Sequence, residues 1–265
     1  MEDNQRARSA RVLPDIRTFL HQGEQAIMLL KVEGASKSYG ALQVTKDVSF
    51  TVEDGETLGI LGPNGAGKTT LFNLISGDAS LDQGAVYFDG KDITRYHPHE
   101  RCRTGIGRSY QVPHPFGNMS VFENLVTAAC FGAQVTEKEA WLIAEEVLET
   151  TDLIAYANQP AGSMTLLNRK RLELARALAT RPRLLLLDEI AGGLTEPEAK
   201  QLVEELKRIK AQGTTMIWIE HVVHALLSIA DKLLVINFGA KLAYGLPDEV
   251  MNDPEVRRVY MGIEA

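Results

Sequence analysis

Residues 62–70 read Gly62-Pro63-Asn64-Gly65-Ala66-Gly67-Lys68-Thr69-Thr70 and satisfy the pattern G-x-x-x-x-G-K-[ST]. What flanks the pattern makes it informative. ETLGILG, ending at Gly62, leads in as a strand, and KTTLFNLISG leads out as a helix that stops at Gly77. Gly62, Gly65 and Gly67 let the backbone curl until its N–H groups face phosphate oxygens, and the helix N-terminus adds favourable potential for an anion. In such a cradle the loop from Gly62 to Thr70 holds a nucleotide. Lys68 reaches its β- and γ-phosphates and the Thr69 hydroxyl binds Mg²⁺. The competing reading is a fortuitous glycine turn, which the strand before it and the helix after it argue against.

A second signal lies downstream. Leu184–Glu189 reads LLLLDE, a leucine run without alternation, as a parallel central strand buried on both faces requires. Ligands gather at the C-terminal ends of parallel strands, which brings this acidic pair beside the phosphate loop. Asp188 is expected to hold Mg²⁺, directly or through water. Glu189 is expected to orient or deprotonate the attacking water as general base. An acidic pair after an apolar run is on its own an ordinary strand end; the phosphate loop upstream gives it a chemical reading.

The rest of the chain supplies a frame for these two motifs. MLLKVEGASKSYG opens a first strand at Met28, and VTKDVSFTV is a second, separated from ETLGILG by the turn Glu53-Asp54-Gly55. GAVYFDG and TTMIWIE read as further strands. Residues 119–180 look mostly helical, an insertion without a long strand. Leu202, Val203, Leu206 and Ile209 mark the apolar face of a helix on which Glu204 and Arg208 are expected to pair. Strand and helix alternation implies a parallel sheet. Residues 1–27 read as an N-terminal extension, disordered in one reading, and 28–265 as the folded domain, with Met28 an alternative start.

A chain of 265 residues suits one large α/β domain able to bury its own core. With 45% hydrophobic and 24% charged residues it belongs with globular proteins rather than disordered ones. The net charge of −7 argues against a dedicated nucleic-acid binder. Cys102 and Cys130 show no paired spacing and read as free thiols of a reducing compartment. No apolar run approaches the roughly 18 residues of a spanning helix, and no cleavable signal opens the chain, so a cytosolic protein that meets membranes through partners is expected. His21, His97, His99, His114 and His224 fit no metal pattern and read as ordinary side chains.

From Met28 onward these residues resemble the nucleotide-binding subunits of ABC transporters. The resemblance implies an α/β fold of the P-loop NTPase class, ABC type: a mostly parallel core sheet, an antiparallel β subdomain and an inserted helical subdomain at about 119–180. It further implies that Tyr39 in KSYGAL stacks on adenine. Gln111 in GRSYQVPHPFGNMSVFENL would link the subdomains, sense the γ-phosphate and join Thr69 and Asp188 at the metal. His221 in MIWIEH would contact the γ-phosphate. Alone, the three read as a surface tyrosine, a loop glutamine and a capping histidine. Within the family the likeness is to ATPases of branched-chain amino acid importers and their amide and urea relatives, carried by PFGNMSVFENL, RLELARALATRPRLLLLDE and LVINFGAKLAYGLPDEVMNDPEVRRVYMG. ATPases that extract lipopolysaccharide end similarly. The implied cofactors are ATP and Mg²⁺. The implied partners are membrane permease subunits, a second cassette and, indirectly, a solute-binding protein, at the cytoplasmic face of the cell membrane. A lipid-exporting motor and a soluble ABC ATPase are the alternative readings.

The resemblance breaks at the family signature. Where LSGGQ is usual, this chain has Met164-Thr165-Leu166-Leu167-Asn168, with leucines in place of both glycines. Those glycines normally let backbone N–H groups approach the γ-phosphate across a dimer interface. Weakened function of this segment is expected, and with it a heterodimer whose partner supplies an ordinary signature. Ile190 replaces the proline usual after the glutamate, and Gly192-Gly193-Leu194-Thr195 lacks its usual terminal aspartate.

Overall fold

In the computed structural model, which describes residues 27–261, two sheets enclose a shared apolar interior. The chain opens with a long hairpin, β1 (Met28–Tyr39) and β2 (Leu42–Glu53), then enters β3 (Thr57–Leu61), the phosphate loop and α1 (Lys68–Ser76). Next come β4 (Gln83–Phe88), β5 (Lys91–Asp92), α2 (Pro98–Thr104) and β6 (Ile106–Ser109). A helical stretch follows: α3 (Val121–Ala128), a π-helical turn (Ala129–Ala133), α4 (Glu137–Thr150) and α5 (Leu166–Ala179). The chain then alternates β7 (Leu184–Asp188), α6 (Glu196–Ala211), β8 (Thr215–Ile219) and α7 (Val223–Leu227). It ends with β9 (Lys232–Asn237), β10 (Ala240–Gly245), α8 (Pro247–Asn252) and α9 (Pro254–Met261).

The first sheet is antiparallel, in the order β2-β1-β4-β5. The second runs β10-β9-β3-β8-β7-β6, parallel except for the edge strand β10. Every residue of β3, β7 and β8 is buried because both faces of this sheet are covered. Alternate residues serve different sides: Leu184 and Leu186 pack with α1 and the first sheet, whereas Leu185 and Leu187 pack with α6 and α7. This layering sets the C-terminal ends of β3 and β7 side by side across β8.

Between Ser120 and Thr180 the described residues form helices and turns, apart from one isolated bridge, and close around their own apolar cluster. Capping boxes at Ser120/Glu123 and Thr136/Glu139 start α3 and α4.

Three features depart from the sequence reading or go beyond it. β6 was not legible as a strand, because four residues with a central Gly-Arg form one only beside β7. The β9–β10 hairpin turns at Phe238 and Gly239, both left-handed, with φ of 45° and 80°. The expected Glu204–Arg208 pair does not form. Glu204 pairs with Lys207 at 2.7 Å, and Arg208 reaches Asp152 at 2.9 Å, brought alongside by tertiary packing. Cys102 and Cys130 are free thiols, and His97, His99, His114 and His224 are exposed; His21 lies outside the described residues. Among the described residues, no helix is long and apolar enough to cross a membrane.

Candidate active site

The loop between β3 and α1 owes its shape to glycines used in different ways. Gly65 and Gly67 are left-handed, with φ of 79° and 100°. A Cβ on Gly67 would stand 2.5 Å from the Val44 carbonyl oxygen, and one on Gly62 would stand 2.4 Å from that of Ile236. Gly62 is therefore required by the closeness of β9, Gly67 by both handedness and space. The β9–β10 turn braces the loop: the Gly239 N–H donates to the Ala66 carbonyl at 3.0 Å, and its own carbonyl accepts from the Lys46 N–H at 2.8 Å.

Lys68 lies folded over this loop, its Nζ donating to the carbonyls of Gly62 at 2.7 Å and Pro63 at 3.2 Å. Burial pulls its pKa below the ordinary lysine value, and the carboxylates of Glu189 and Asp188 oppose that pull. Pro63, Asn64, Gly65 and Thr69 face solvent, Thr70 is half-buried and Ala66 is buried. The cradle is thus open on the side from which a phosphate would arrive.

At the end of β7, Asp188 is buried. Its Oδ2 accepts from Arg108 Nη2 at 3.2 Å, and its Oδ1 has no partner. Burial raises its pKa above the usual carboxylate range; Arg108 opposes the rise. A buried, unpartnered carboxylate oxygen fits a hard divalent cation, with the exposed Thr69 hydroxyl as a second candidate ligand. Among the described residues no cluster of three or more His, Cys, Asp or Glu is suited to a metal. A cation here would therefore complete its shell with phosphate and water.

Glu189 follows with a left-handed backbone, φ 46°, rare for a residue with a side chain. Its N–H donates to the Ile219 carbonyl at 2.9 Å. Its Oε1 lies 2.6 Å from His221 Nε2, and its Oε2 accepts from Gln111 Nε2 at 2.5 Å. Gln111, Glu189 and His221 therefore meet in one constellation, assembled from the ends of β6, β7 and β8. The His221 N–H donates to buried Glu220 at 2.8 Å, whose other oxygen accepts from the Ala191 N–H at 3.3 Å. Tyr39 stands apart at the end of β1, 52% exposed, with Lys37 Nζ 5.6 Å from its ring centroid. Among the described residues it makes no hydrogen bond to the other candidates.

Sequence reading missed Arg108, Lys170 and Glu220. Arg108 also donates to Asn73 at 2.7 Å, Ser76 at 2.9 Å and Asp78 at 2.9 Å, and lies 4.7 Å from the Tyr110 ring centroid. An arginine three residues before Gln111 was the signal available. Lys170 donates to the carbonyls of Gln111 at 2.5 Å and Glu189 at 3.3 Å. At the altered signature, Thr165 caps α5 by accepting from the Asn168 N–H at 3.4 Å. Leu166 is partly exposed beside Gly193, Leu167 is buried, and the Asn168 side chain turns inward, its Oδ1 accepting from Arg171 Nη1 at 3.4 Å.

Residues 45–192 match the family described as ABC transporter, and residues 240–265 match one described as branched-chain amino acid ATP-binding cassette transporter. The chain is 34% identical over 249 residues to the high-affinity branched-chain amino acid transport ATP-binding protein BraF of Pseudomonas aeruginosa, covering 88% of this chain and 98% of that one. It is 33% identical over 234 residues to the lipopolysaccharide export system ATP-binding protein LptB of Haemophilus influenzae, covering 88% and 97%. The fold superimposes with a TM-score of 0.78 on the ADP conformation of MJ1267, an ATP-binding cassette of an ABC transporter, at 32% identity and covering 89% and 99% of the two chains. The family match spans the phosphate loop and the acidic end of β7, and the relatives match over nearly their whole length. The chain belongs to the ABC transporter family, as a nucleotide-binding, ATP-hydrolysing subunit that works with membrane permease subunits.

Proposed function

We propose that this subunit powers an importer of branched-chain amino acids or related small polar solutes. The match of residues 240–265 to the branched-chain amino acid cassette family carries the substrate reading, with the likeness to BraF in support. The likeness to LptB favours a second reading, a motor for lipid export that shares the same catalytic parts.

Lys68 releases the Gly62 and Pro63 carbonyls and takes the β- and γ-phosphates, while N–H groups of the loop and of α1 face the same oxygens. Tyr39 offers its exposed ring to adenine. Thr69, Asp188 and Gln111 are the groups that would hold Mg²⁺, which when bound neutralises charge on the phosphates. Glu189 accepts the proton of the attacking water; Gln111 and His221 flank its two oxygens and hold it on line. Hydrolysis here is positioning and charge stabilisation rather than covalent catalysis. The chain associates with the cytoplasmic face of the membrane through permease subunits, pairs with a second cassette and depends indirectly on a solute-binding protein. No nucleic acid enters this scheme.

Purification of the native complex through this chain tests the reading. Permease subunits, a second cassette and ATPase activity stimulated by an amino-acid-loaded binding protein are expected. A complex that extracts lipid and responds to no binding protein would overturn it in favour of export.

A further inference from the structure

One face of α5 grips the segment that carries Gln111. Lys170, Glu173 and Arg176 recur every third residue, which sets them along one side of the helix. Lys170 Nζ donates to the Gln111 carbonyl at 2.5 Å, Glu173 accepts from the His114 N–H at 3.3 Å, and Arg176 donates to the His114 carbonyl at 2.8 Å. From α3, Asn124 accepts from the Phe116 N–H at 2.9 Å and donates to its carbonyl at 3.2 Å. These bonds go to main chain, so residues 111–116 follow the helices whatever their own side chains do.

Lys170 does more than hold that segment. The same ammonium reaches the Glu189 carbonyl at 3.3 Å, joining the backbones of two residues whose side chains also meet. It is buried, at 4% exposure, among the carboxylates of Glu220, Glu189, Asp188 and Glu173. Glu189 is left-handed, a conformation that persists in a residue with a side chain only where its surroundings hold it. Lys170 supplies part of that hold, and it comes from the helix whose first turn is the altered signature.

We propose that Lys170 is a positioning residue for ATP hydrolysis, coupling the placement of α5 to the Gln111–Glu189 pair. The inference rests on the reading of Glu189 as general base. When α5 and residues 111–116 shift together against the core sheet, the ammonium leaves the Glu189 carbonyl. The turn that aims the carboxylate then loses its clasp. The phosphate loop has no part in this contact, so hydrolysis responds to the helix while nucleotide binding does not.

The test compares Lys170→Met, Lys170→Arg and Glu189→Gln. Binding of a fluorescent ATP analogue is measured on the purified full chain, and hydrolysis in the transporter complex purified through it. Lys170→Met is expected to bind one nucleotide per chain with affinity within about twofold of wild type, yet to hydrolyse roughly tenfold more slowly. Lys170→Arg should regain most of the rate, and Lys170→Met combined with Gln111→Ala should cost little more than the worse single change. Lys170→Gln carries the same expectation should Lys170→Met not fold. Wild-type turnover in Lys170→Met beside an inactive Glu189→Gln overturns the inference. So does a loss of binding stoichiometry that matches the loss of rate, which marks a purely structural role. Wild-type turnover in Glu189→Gln overturns the reading beneath it instead.

Discussion

Arg108 Nη2 donates to Asp188 Oδ2 at 3.2 Å, while the same guanidinium serves Asn73, Ser76 and Asp78 around the C-terminal end of α1. Asp188 thus shares its donor with three other groups, and its Oδ1 has none. A carboxylate so placed opposes folding of the nucleotide-free chain, which burial expresses as a raised pKa.

Asp188→Asn should therefore stabilise the nucleotide-free chain, by about 3 °C in melting temperature, while abolishing hydrolysis. The raised folded pKa means that ionisation costs stability as pH climbs from the unfolded value of about 3.9 through the folded one. The advantage of Asn should be full at pH 8 and shrink as the pH is lowered toward about 4. Paired thermal melts across that range check it; a lower melting temperature for Asp188→Asn at pH 8 would show that the ionised pair is net stabilising.

Glu189→Gln and Lys68→Ala should separate hydrolysis from binding. Glu189→Gln keeps the hydrogen-bonding shape between Gln111 and His221 but cannot take a proton, so turnover should fall by roughly 100-fold or more with nucleotide affinity retained. Lys68→Ala removes the cation of the loop and should weaken binding itself. Nucleotide titration alongside phosphate release in the assembled complex distinguishes the two, and equal turnover in wild type and Glu189→Gln would remove Glu189 from the mechanism.

The loop glycines should differ in cost. Gly65→Ala meets open space and pays only for its left-handed backbone, roughly 1–2 kcal/mol. Gly67→Ala adds a Cβ 2.5 Å from the Val44 carbonyl oxygen and must displace β2 or the loop. Denaturant melts should rank Gly67→Ala clearly below Gly65→Ala. The reverse order would mean that handedness rather than space governs this turn.

The signature predicts asymmetry between two cassettes. With Leu166 partly exposed at the start of α5, a homodimer would present leucines to both nucleotides. A partner with glycines there would complete this chain's site and leave the other weak. Mutating the partner's catalytic glutamate should then cost less turnover than Glu189→Gln. Equal losses, or a working complex with two copies of this chain, would sink the idea.

The legible parts of this protein are those with a local cause. A strand, a glycine turn and a helix N-terminus are written consecutively between Thr57 and Ser76, and Leu184–Asp188 declares a buried strand by lacking alternation. The mostly parallel sheet followed from the order of such segments. What only the tertiary structure decided are the meetings between strands that are not neighbours in sequence. β3 and β7 flank β8, so Lys68 and Asp188 approach only once that order exists, and β6 becomes a strand only against β7. The left-handed turn at Glu189, Lys170 bridging it to Gln111, Arg108 on Asp188 and the β9–β10 brace on Ala66 belong to the same class. Periodicity and turn chemistry reach only a few residues along the chain, whereas these contacts join residues 19 to 173 positions apart. Their partners are chosen by strand order and burial.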